Sequence, residues 1–197
     1  MILETSRLLL REFDESDWER VLAYQSDPLY LPYYHWTERS EEHVKAFVQM
    51  FLDSQKERPR TKFQLAITLQ TNGLLIGNCG IRINNPLLRE ANIGYELDSQ
   101  FWGQGYATEA AQGILQLGFQ ELGMHRIWAN TIAKNKGSAN VLEKLGMRLE
   151  ARELEKDYIK GQWVDSLTYA ILDWEWHRKD EMSDERSGAG QGIDISF

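Results

Sequence analysis

The sequence predicts a single α/β (α+β) domain, and two stretches carry this prediction. Apolar residues alternate over 63–69, return over 74–83 and recur over 91–97, with Asn72-Gly73 as a tight turn, so these residues predict an antiparallel meander. A glycine turn at 103–105 then leads into a helix whose small and apolar residues recur at helical spacing from 107 to 122. We expect the domain to span 1–176 and the charged, then Gly- and Ser-rich residues 177–197 to form a mobile tail.

The remaining elements are predicted in chain order around these two stretches. Residues 7–11 predict a first strand, Asp14 can cap a following helix, and an aromatic loop over 27–37 leads to a second helix. After the central helix, the pattern predicts a strand over 126–133, a helix that begins at 135–138 and ends before Gly146, and two long strands over 147–158 and 162–173.

Composition and charge limit the function classes. The chain has 197 residues and 42% hydrophobic residues, but no apolar run long enough for a membrane helix and no pattern of a signal peptide, so we expect no membrane partner. Cys79 is the single cysteine, which fits a reducing cytoplasm. The net charge of −8 argues against nucleic-acid binding and favours the approach of cationic amines.

The turn at Gly103 and Gly105 predicts an anion site. Glycines let successive backbone N–H groups point in one direction, and the following helix N-terminus adds the positive end of its dipole. The dinucleotide fingerprint would need glycine where Thr108 stands, and a P-loop would need a lysine after the glycines. A glycine-containing helix entry without any ligand remains an alternative at this point.

Three motifs resemble the GNAT superfamily of N-acetyltransferases, most closely its branch of ribosomal-protein alanine and serine N-acetyltransferases. They are Trp102-Gly103-Gln104-Gly105-Tyr106-Ala107, the segment NKGSANVLEKLGM at 135–147 and the segment DYIKGQWVDS at 157–166. The resemblance covers residues 3–174. It implies the GNAT acyl-CoA N-acyltransferase fold, a mixed and mostly antiparallel central sheet flanked by helices, with a bulged strand at 91–97 that splays from its neighbour at the CoA site.

The resemblance also implies acetyl-CoA as co-substrate, an amine as acceptor and no metal. The pyrophosphate is then expected on the backbone amides of Gly103, Gln104, Gly105, Tyr106, Ala107 and Thr108. Leu97 and Asn135 match positions that contact pantetheine, and Ser138 matches the serine that hydrogen-bonds the CoA sulfur. Leu142 stands where many members carry a tyrosine that acts as the general acid.

The chemistry requires a group that removes a proton from the amine before it attacks the thioester directly. Glu96, on the strand before the glycine turn, is the candidate base, and its alternative is a solvated carboxylate. Asn135 and Ser138 could equally be helix caps. Cys79 could be a nucleophile, but a buried thiol is the more ordinary interpretation.

The acceptor side is expected in the aromatic loop, where Tyr33, Tyr34 and Trp36 could bind a cation or an apolar side chain. The alternative is that these residues only pack on the second helix. We therefore predict an acetyl-CoA-dependent N-acetyltransferase for a peptide N-terminal amine or a small amine. A catalytically silent CoA-binding module and an unrelated nucleotide-binding protein are the other function classes, and a homodimer is left open.

Overall fold

Eight strands form one sheet in the computed structural model, which describes residues 1–178. They are β1 (Ile2–Glu4), β2 (Leu8–Glu12), β3 (Lys62–Leu69), β4 (Leu75–Asn85), β5 (Glu90–Leu97), β6 (Arg126–Ile132), β7 (Arg148–Ile159) and β8 (Gln162–Leu172). Their order across the sheet is β1-β2-β3-β4-β5-β6-β8-β7. The pair β5–β6 is parallel and the other neighbouring pairs are antiparallel. The predicted mixed, mostly antiparallel sheet is therefore confirmed.

Apart from the helical residues 173–178, four α-helices flank the sheet within the described part of the chain. They are α1 (Trp18–Gln25), α2 (Glu41–Lys56), α3 (Tyr106–Gln116) and α4 (Lys136–Lys144). Two of them, α2 and α4, begin with a side-chain cap. Asp14 caps the short 3₁₀ turn before α1, and Asn135 caps α4 by accepting a hydrogen bond from Ser138 N. Residues 117–121 extend α3 as a wider π-type turn, which the sequence pattern did not predict. No helix among residues 1–178 combines the length and apolar character needed to cross a membrane.

Each face of the sheet buries its own hydrophobic core. Alternation along β3 divides the two, because Leu65 and Ile67 pack in the core that contains α3, whereas Ala66 packs with residues of α1 and α2. The α3 side contributes Ala110, Ala111 and Ile114, which the helical spacing indicated, and also Leu115, which it did not. The opposite core contains Val21, Val44, Val48 and Phe51. The sheet thus lies between two hydrophobic layers, one on each face.

The strands β5 and β6 separate as predicted. They pair only over Glu90–Asn92 and Arg126–Trp128, although β5 continues to Leu97 and β6 to Ile132. The expected bulge in β5 is wrong, because β5 pairs with β4 in unbroken register from Ala91 to Leu97. The irregularity in this ladder instead lies between Ile83 and Asn85 of β4. The gap between β5 and β6 therefore opens through strand divergence.

Two features near the chain ends differ from the sequence prediction. The segment Ile2–Glu4 forms an additional strand, β1, so Arg7 lies in the turn before β2 rather than in the first strand. Residues 173–178 are helical, and the rest of the predicted tail, 179–197, lies outside the described residues.

Candidate active site

A cavity of about 300 Å³ occupies the gap between β5 and the start of α4. Most of the residues predicted for the site line it, namely Glu96, Leu97, Gly103, Gly105, Tyr106, Ala107, Thr108, Asn135, Ser138, Tyr33 and Tyr34. Gln104 and Trp36 are absent from this lining. The cavity thus joins the glycine turn, the splayed strand and the aromatic loop, which lie far apart in the sequence.

The glycine turn presents a row of unpaired backbone donors. Gly103 and Gly105 have φ values of +73° and +84°, in the left-handed region that glycine adopts without a steric cost. Among the described residues, none of the backbone amides from Gly103 to Thr108 donates a hydrogen bond to the protein. Because these amides surround the N-terminus of α3, they form the donor-rich, positively polarised end that anions prefer.

Arg7 fixes the orientation of this turn. Its Nη1 donates to the carbonyl oxygen of Gln104 at 3.0 Å, its Nε pairs with Glu109 Oε2 at 2.6 Å, and its guanidinium lies 4.3 Å from the centre of the Tyr106 ring. In a trans peptide the C=O and the following N–H point in opposite directions. Holding the Gln104 carbonyl on the Arg7 side therefore turns the Gly105 N–H to the other side.

Glu96 is enclosed by hydrogen-bond donors. Its Oε1 accepts from Tyr24 Oη at 2.7 Å, from Gln25 Nε2 at 2.8 Å and from Asn78 Nδ2 at 2.5 Å. Its Oε2 accepts from the hydroxyl of Tyr30 and, at 3.3 Å, from that of Tyr34. The alternative of a solvated carboxylate is therefore wrong. We call these five residues, Tyr24, Gln25, Tyr30, Tyr34 and Asn78, the Glu96 cage.

The tyrosines of the Glu96 cage keep their protons. Burial, followed by the negative charge of Glu96, raises the pKa of Tyr24, Tyr30 and Tyr34 above the usual value. These hydroxyls therefore remain neutral donors at physiological pH. Tyr34 also lines the cavity, and its hydroxyl donates to the Glu96 carboxylate, which lines the same cavity.

The aromatic loop divides into two parts. Tyr30 stacks on Tyr34 at 4.4 Å between ring centroids, and Tyr33 meets Trp102 edge-on at 6.0 Å, with both of these rings lining the cavity. Trp36 instead stacks on the far side of Tyr34 at 4.5 Å, and the Arg39 guanidinium lies 4.6 Å from its ring centre. The structure therefore places Tyr33 and Tyr34 at the cavity and Trp36 in the packing behind it.

The start of α4 combines capping with a polar contact to β5. Asn135 Oδ1 accepts from Ser138 N at 3.0 Å, while Asn135 Nδ2 makes no hydrogen bond within residues 1–178. The Ser138 hydroxyl does not cap the helix, because it lies 3.0 Å from the hydroxyl of Tyr95. Asn135 is therefore both a cap and a cavity residue, and Ser138 presents a hydroxyl to the same space.

Comparisons with known proteins agree with this geometry. The profile of the acetyltransferase (GNAT) domain matches residues 7–148. The uncharacterized N-acetyltransferase YnaD of Bacillus subtilis is 35% identical over 178 residues, which is 90% of this chain and 100% of that protein. The chain belongs to the GNAT acetyltransferase family. A GNAT-family acetyltransferase structure from Bacillus anthracis is 31% identical, with a TM-score of 0.77 over 89% of this chain and 100% of that one.

A second solved structure shares the GNAT fold at lower identity. It is RimL, a ribosomal L7/L12 alpha-N-protein acetyltransferase in complex with coenzyme A. RimL is 23% identical, with a TM-score of 0.77 over 88% of this chain and 99% of that one. The family and fold thus identify an N-acetyltransferase, and GNAT enzymes use acetyl-CoA as the acetyl donor.

Two further residues, Cys79 and Leu142, are buried in the core of this GNAT domain. Cys79 is fully buried in the core of β4, and burial raises the pKa of its thiol, so no thiolate nucleophile is available there. Leu142, which stands where many members carry a tyrosine, is also buried and can donate no proton. Neither residue lines the cavity or offers it a nucleophile or a proton donor.

Sequence reasoning missed the residues that hold Glu96. Asn78 lies directly opposite Glu96 in the β4–β5 register. It is a polar residue in a buried part of β4, and this pattern could have indicated a buried polar contact. Gln25 has an exposed fraction of 0% and lies four residues after Val21 on the apolar face of α1. A buried amide at a core position needs a polar partner, so Gln25 could also have indicated a polar network.

Proposed function

We propose that this GNAT enzyme transfers the acetyl group of acetyl-CoA to a primary amine by direct attack of the amine on the thioester. The observation that carries the proposal is the row of unpaired amides from Gly103 to Thr108, in a cavity that also contains Glu96 and Ser138. Donors for a pyrophosphate, a carboxylate for proton removal and a hydroxyl for the leaving group thus meet in one space.

The glycine turn supplies the binding of the donor. Amides 103–108 and the N-terminus of α3 would hold the two phosphates, and Arg7 keeps the turn in the required orientation. The cavity continues from the turn along Leu97 to Asn135, whose Nδ2 is available to a carbonyl of pantetheine. The thioester end would then lie near Ser138, and the hydroxyl of this residue would stabilise the charge that develops on sulfur.

The Glu96 cage supplies the route for the amine proton. Each oxygen of Glu96 already accepts from the cage, and Tyr34 lines the cavity beside Glu96, so we assign the Tyr34 hydroxyl as the group that the incoming amine contacts. The amine proton would pass to Tyr34 while Tyr34 passes its own hydroxyl proton to Glu96, which leaves a neutral tyrosine and a protonated carboxyl. Tyr34 is thus the contact residue, and Glu96 is the final acceptor in this general-base step.

The acceptor would enter beside Tyr33 and Trp102. Their ring faces and the carboxylate behind Tyr34 suit a primary ammonium group on an uncharged or apolar stem. The net charge of −8 would favour its approach. Both a peptide N-terminal α-amine and a small-molecule amine meet this description, and RimL, which shares the fold, is a protein α-N-acetyltransferase.

The test measures thiol release from acetyl-CoA with peptides bearing a free N-terminus, polyamines, amino acids and aminoglycosides, and identifies the acetylated product by mass spectrometry. The matched control is a peptide with a blocked N-terminus and no lysine. We expect release with at least one amine class and none with the control. Binding of acetyl-CoA without amine-dependent release from any class would indicate a silent CoA-binding module instead.

Replacing Glu96 by glutamine tests the proton route. We expect a fall in kcat/KM of about 10²–10⁴-fold, the usual contribution of a general base, and the largest fall at low pH, where few amines are already neutral. Glu143→Gln is the control, because Glu143 also accepts from a tyrosine hydroxyl, Tyr169 at 3.0 Å, but is absent from the cavity lining. Equal rates for Glu96→Gln and the parent across pH would remove Glu96 from the mechanism.

A further inference from the structure

Tyr95 reaches the site from the other face of the strand that carries Glu96. Successive side chains of a strand point to opposite faces, and Glu96 contacts α1 while Tyr95 packs against the core that contains α3. The Tyr95 hydroxyl lies 3.0 Å from the Ser138 carbonyl oxygen and 3.0 Å from Ser138 Oγ. Both Tyr95 and Ser138 line the cavity.

The hydrogens of this pair can adopt two arrangements. A phenol has one hydrogen to donate, and two acceptors lie at the same distance from the Tyr95 hydroxyl. When Tyr95 donates to the Ser138 carbonyl, the Ser138 hydroxyl can donate to Tyr95 and is directed away from the cavity. When Tyr95 donates to Ser138 Oγ, that donation cannot be returned, and the Ser138 hydrogen is free to point into the cavity that Ser138 lines.

We propose that Tyr95 is a positioning residue for acetyl transfer, and that its hydroxyl directs the Ser138 hydrogen toward the sulfur as the thiolate leaves. This inference rests on the proposed role of Ser138. The nitrogen–carbon bond forms, the carbon–sulfur bond breaks, and its electron pair remains on sulfur. The two hydroxyls only rotate, so neither loses its proton, and they form a donor chain from Tyr95 through Ser138 to the thiolate.

Two properties of the site support such a chain. Burial raises the pKa of Tyr95 to about 12, so this hydroxyl remains protonated and can donate throughout the working pH range. Consecutive hydrogen bonds in a poorly solvated site polarise each other, so a hydroxyl that accepts from Tyr95 is a stronger donor to an anion than an isolated hydroxyl. The chain also supplies a donor in a domain where Leu142 cannot serve as one.

A structural role for Tyr95 is the competing explanation, because its hydroxyl also contacts the Ser138 carbonyl in α4. A structural role predicts a loss of thermal stability and no specific dependence on the Ser138 hydroxyl. Tyr169→Phe is the matched control. The Tyr169 hydroxyl bonds Glu143 of the same helix at 3.0 Å, and Tyr169 is buried but absent from the cavity lining.

The experiment is a double-mutant cycle of Tyr95→Phe and Ser138→Ala, with kcat, KM for acetyl-CoA and Tm measured for each variant. We expect Ser138→Ala to lower kcat about tenfold to a hundredfold, as for a lost hydrogen bond to a charged group, with KM for acetyl-CoA unchanged. Tyr95→Phe should lower kcat about threefold to tenfold alone and cause no further loss in the Ser138→Ala background. Tyr169→Phe should leave kcat unchanged.

The outcomes separate this inference from the proposed function. A slow Ser138→Ala variant together with a Tyr95→Phe variant at the parental rate overturns the role of Tyr95 and leaves that of Ser138 intact. Losses in kcat that multiply in the double variant also overturn it, because Tyr95 would then act independently of Ser138. Parental activity of Ser138→Ala removes Ser138 from the mechanism and this inference with it. A Tyr95→Phe variant that lowers Tm more than Tyr169→Phe, and whose loss in kcat is as large in the Ser138→Ala background as alone, would show a structural role and overturn the inference.

Discussion

Comparing Gly103→Val with the matched control Gly73→Val should distinguish an effect on cofactor binding from an effect on stability. Gly103 has a φ of +73° and Gly73 a φ of +72°, and a Cβ at either position would meet no heavy atom within 4 Å. Both substitutions therefore impose the same backbone strain, about 1–3 kcal/mol for a residue held in the left-handed region. In a domain of this size, Tm should fall in both by about 2–4 °C for each kcal/mol.

Only the Gly103 variant should lose affinity for CoA. The amides around Gly103 have no partner among the described residues, and we propose the pyrophosphate as their acceptor. The loss of one hydrogen bond to a charged group costs about 1.5–3 kcal/mol, which is about tenfold to a hundredfold in Kd. Titration calorimetry with CoA and thermal melts on both variants measure the two effects. An unchanged Kd in folded Gly103→Val, or an equal loss in Gly73→Val, would refute the reasoning.

Two further predictions concern the acceptor side and the turn. Tyr33→Ala should raise the KM for the acceptor and leave the KM for acetyl-CoA unchanged, because Tyr33 lines the cavity. Trp36→Ala should lower Tm and affect the KM values of both substrates together, because Trp36 packs behind the cavity. Identical kinetic profiles for the two variants would contradict this division. Arg7→Ala should raise the KM for acetyl-CoA about twofold to tenfold with kcat unchanged, because the Gln104 carbonyl loses its donor; an unchanged KM would show that Arg7 does not hold the turn.

Local sequence signals predicted the scaffold of the site. Asn72-Gly73 placed the turn between β3 and β4, and Gly73 has the positive φ that this turn requires. The two glycines before α3 likewise adopt positive φ values, and Asn135 caps α4 as its residue type favours. These features depend only on neighbours within a few residues, so they can be predicted from the local sequence.

The contacts that decide the chemistry depend on residues far apart in the chain. Glu96 meets Tyr24 and Gln25, which are 72 and 71 residues away, and no local pattern connects them. Trp36 looks like a ligand residue in the sequence, yet stacking on Tyr34 turns it away from the cavity. Strand β1 has only three residues, too few to show an alternating pattern in the sequence. Arg7 was therefore predicted to lie in the first strand, although it lies in the turn between β1 and β2.

The measurement that tests the central claim most directly is a crystal structure of the protein with CoA bound. We expect pyrophosphate oxygens within about 3 Å of backbone amides between Gly103 and Thr108, and the sulfur within hydrogen-bonding distance of Ser138 Oγ. Coenzyme A bound with its phosphates away from this turn, or with its sulfur remote from Ser138 and Glu96, would contradict the account.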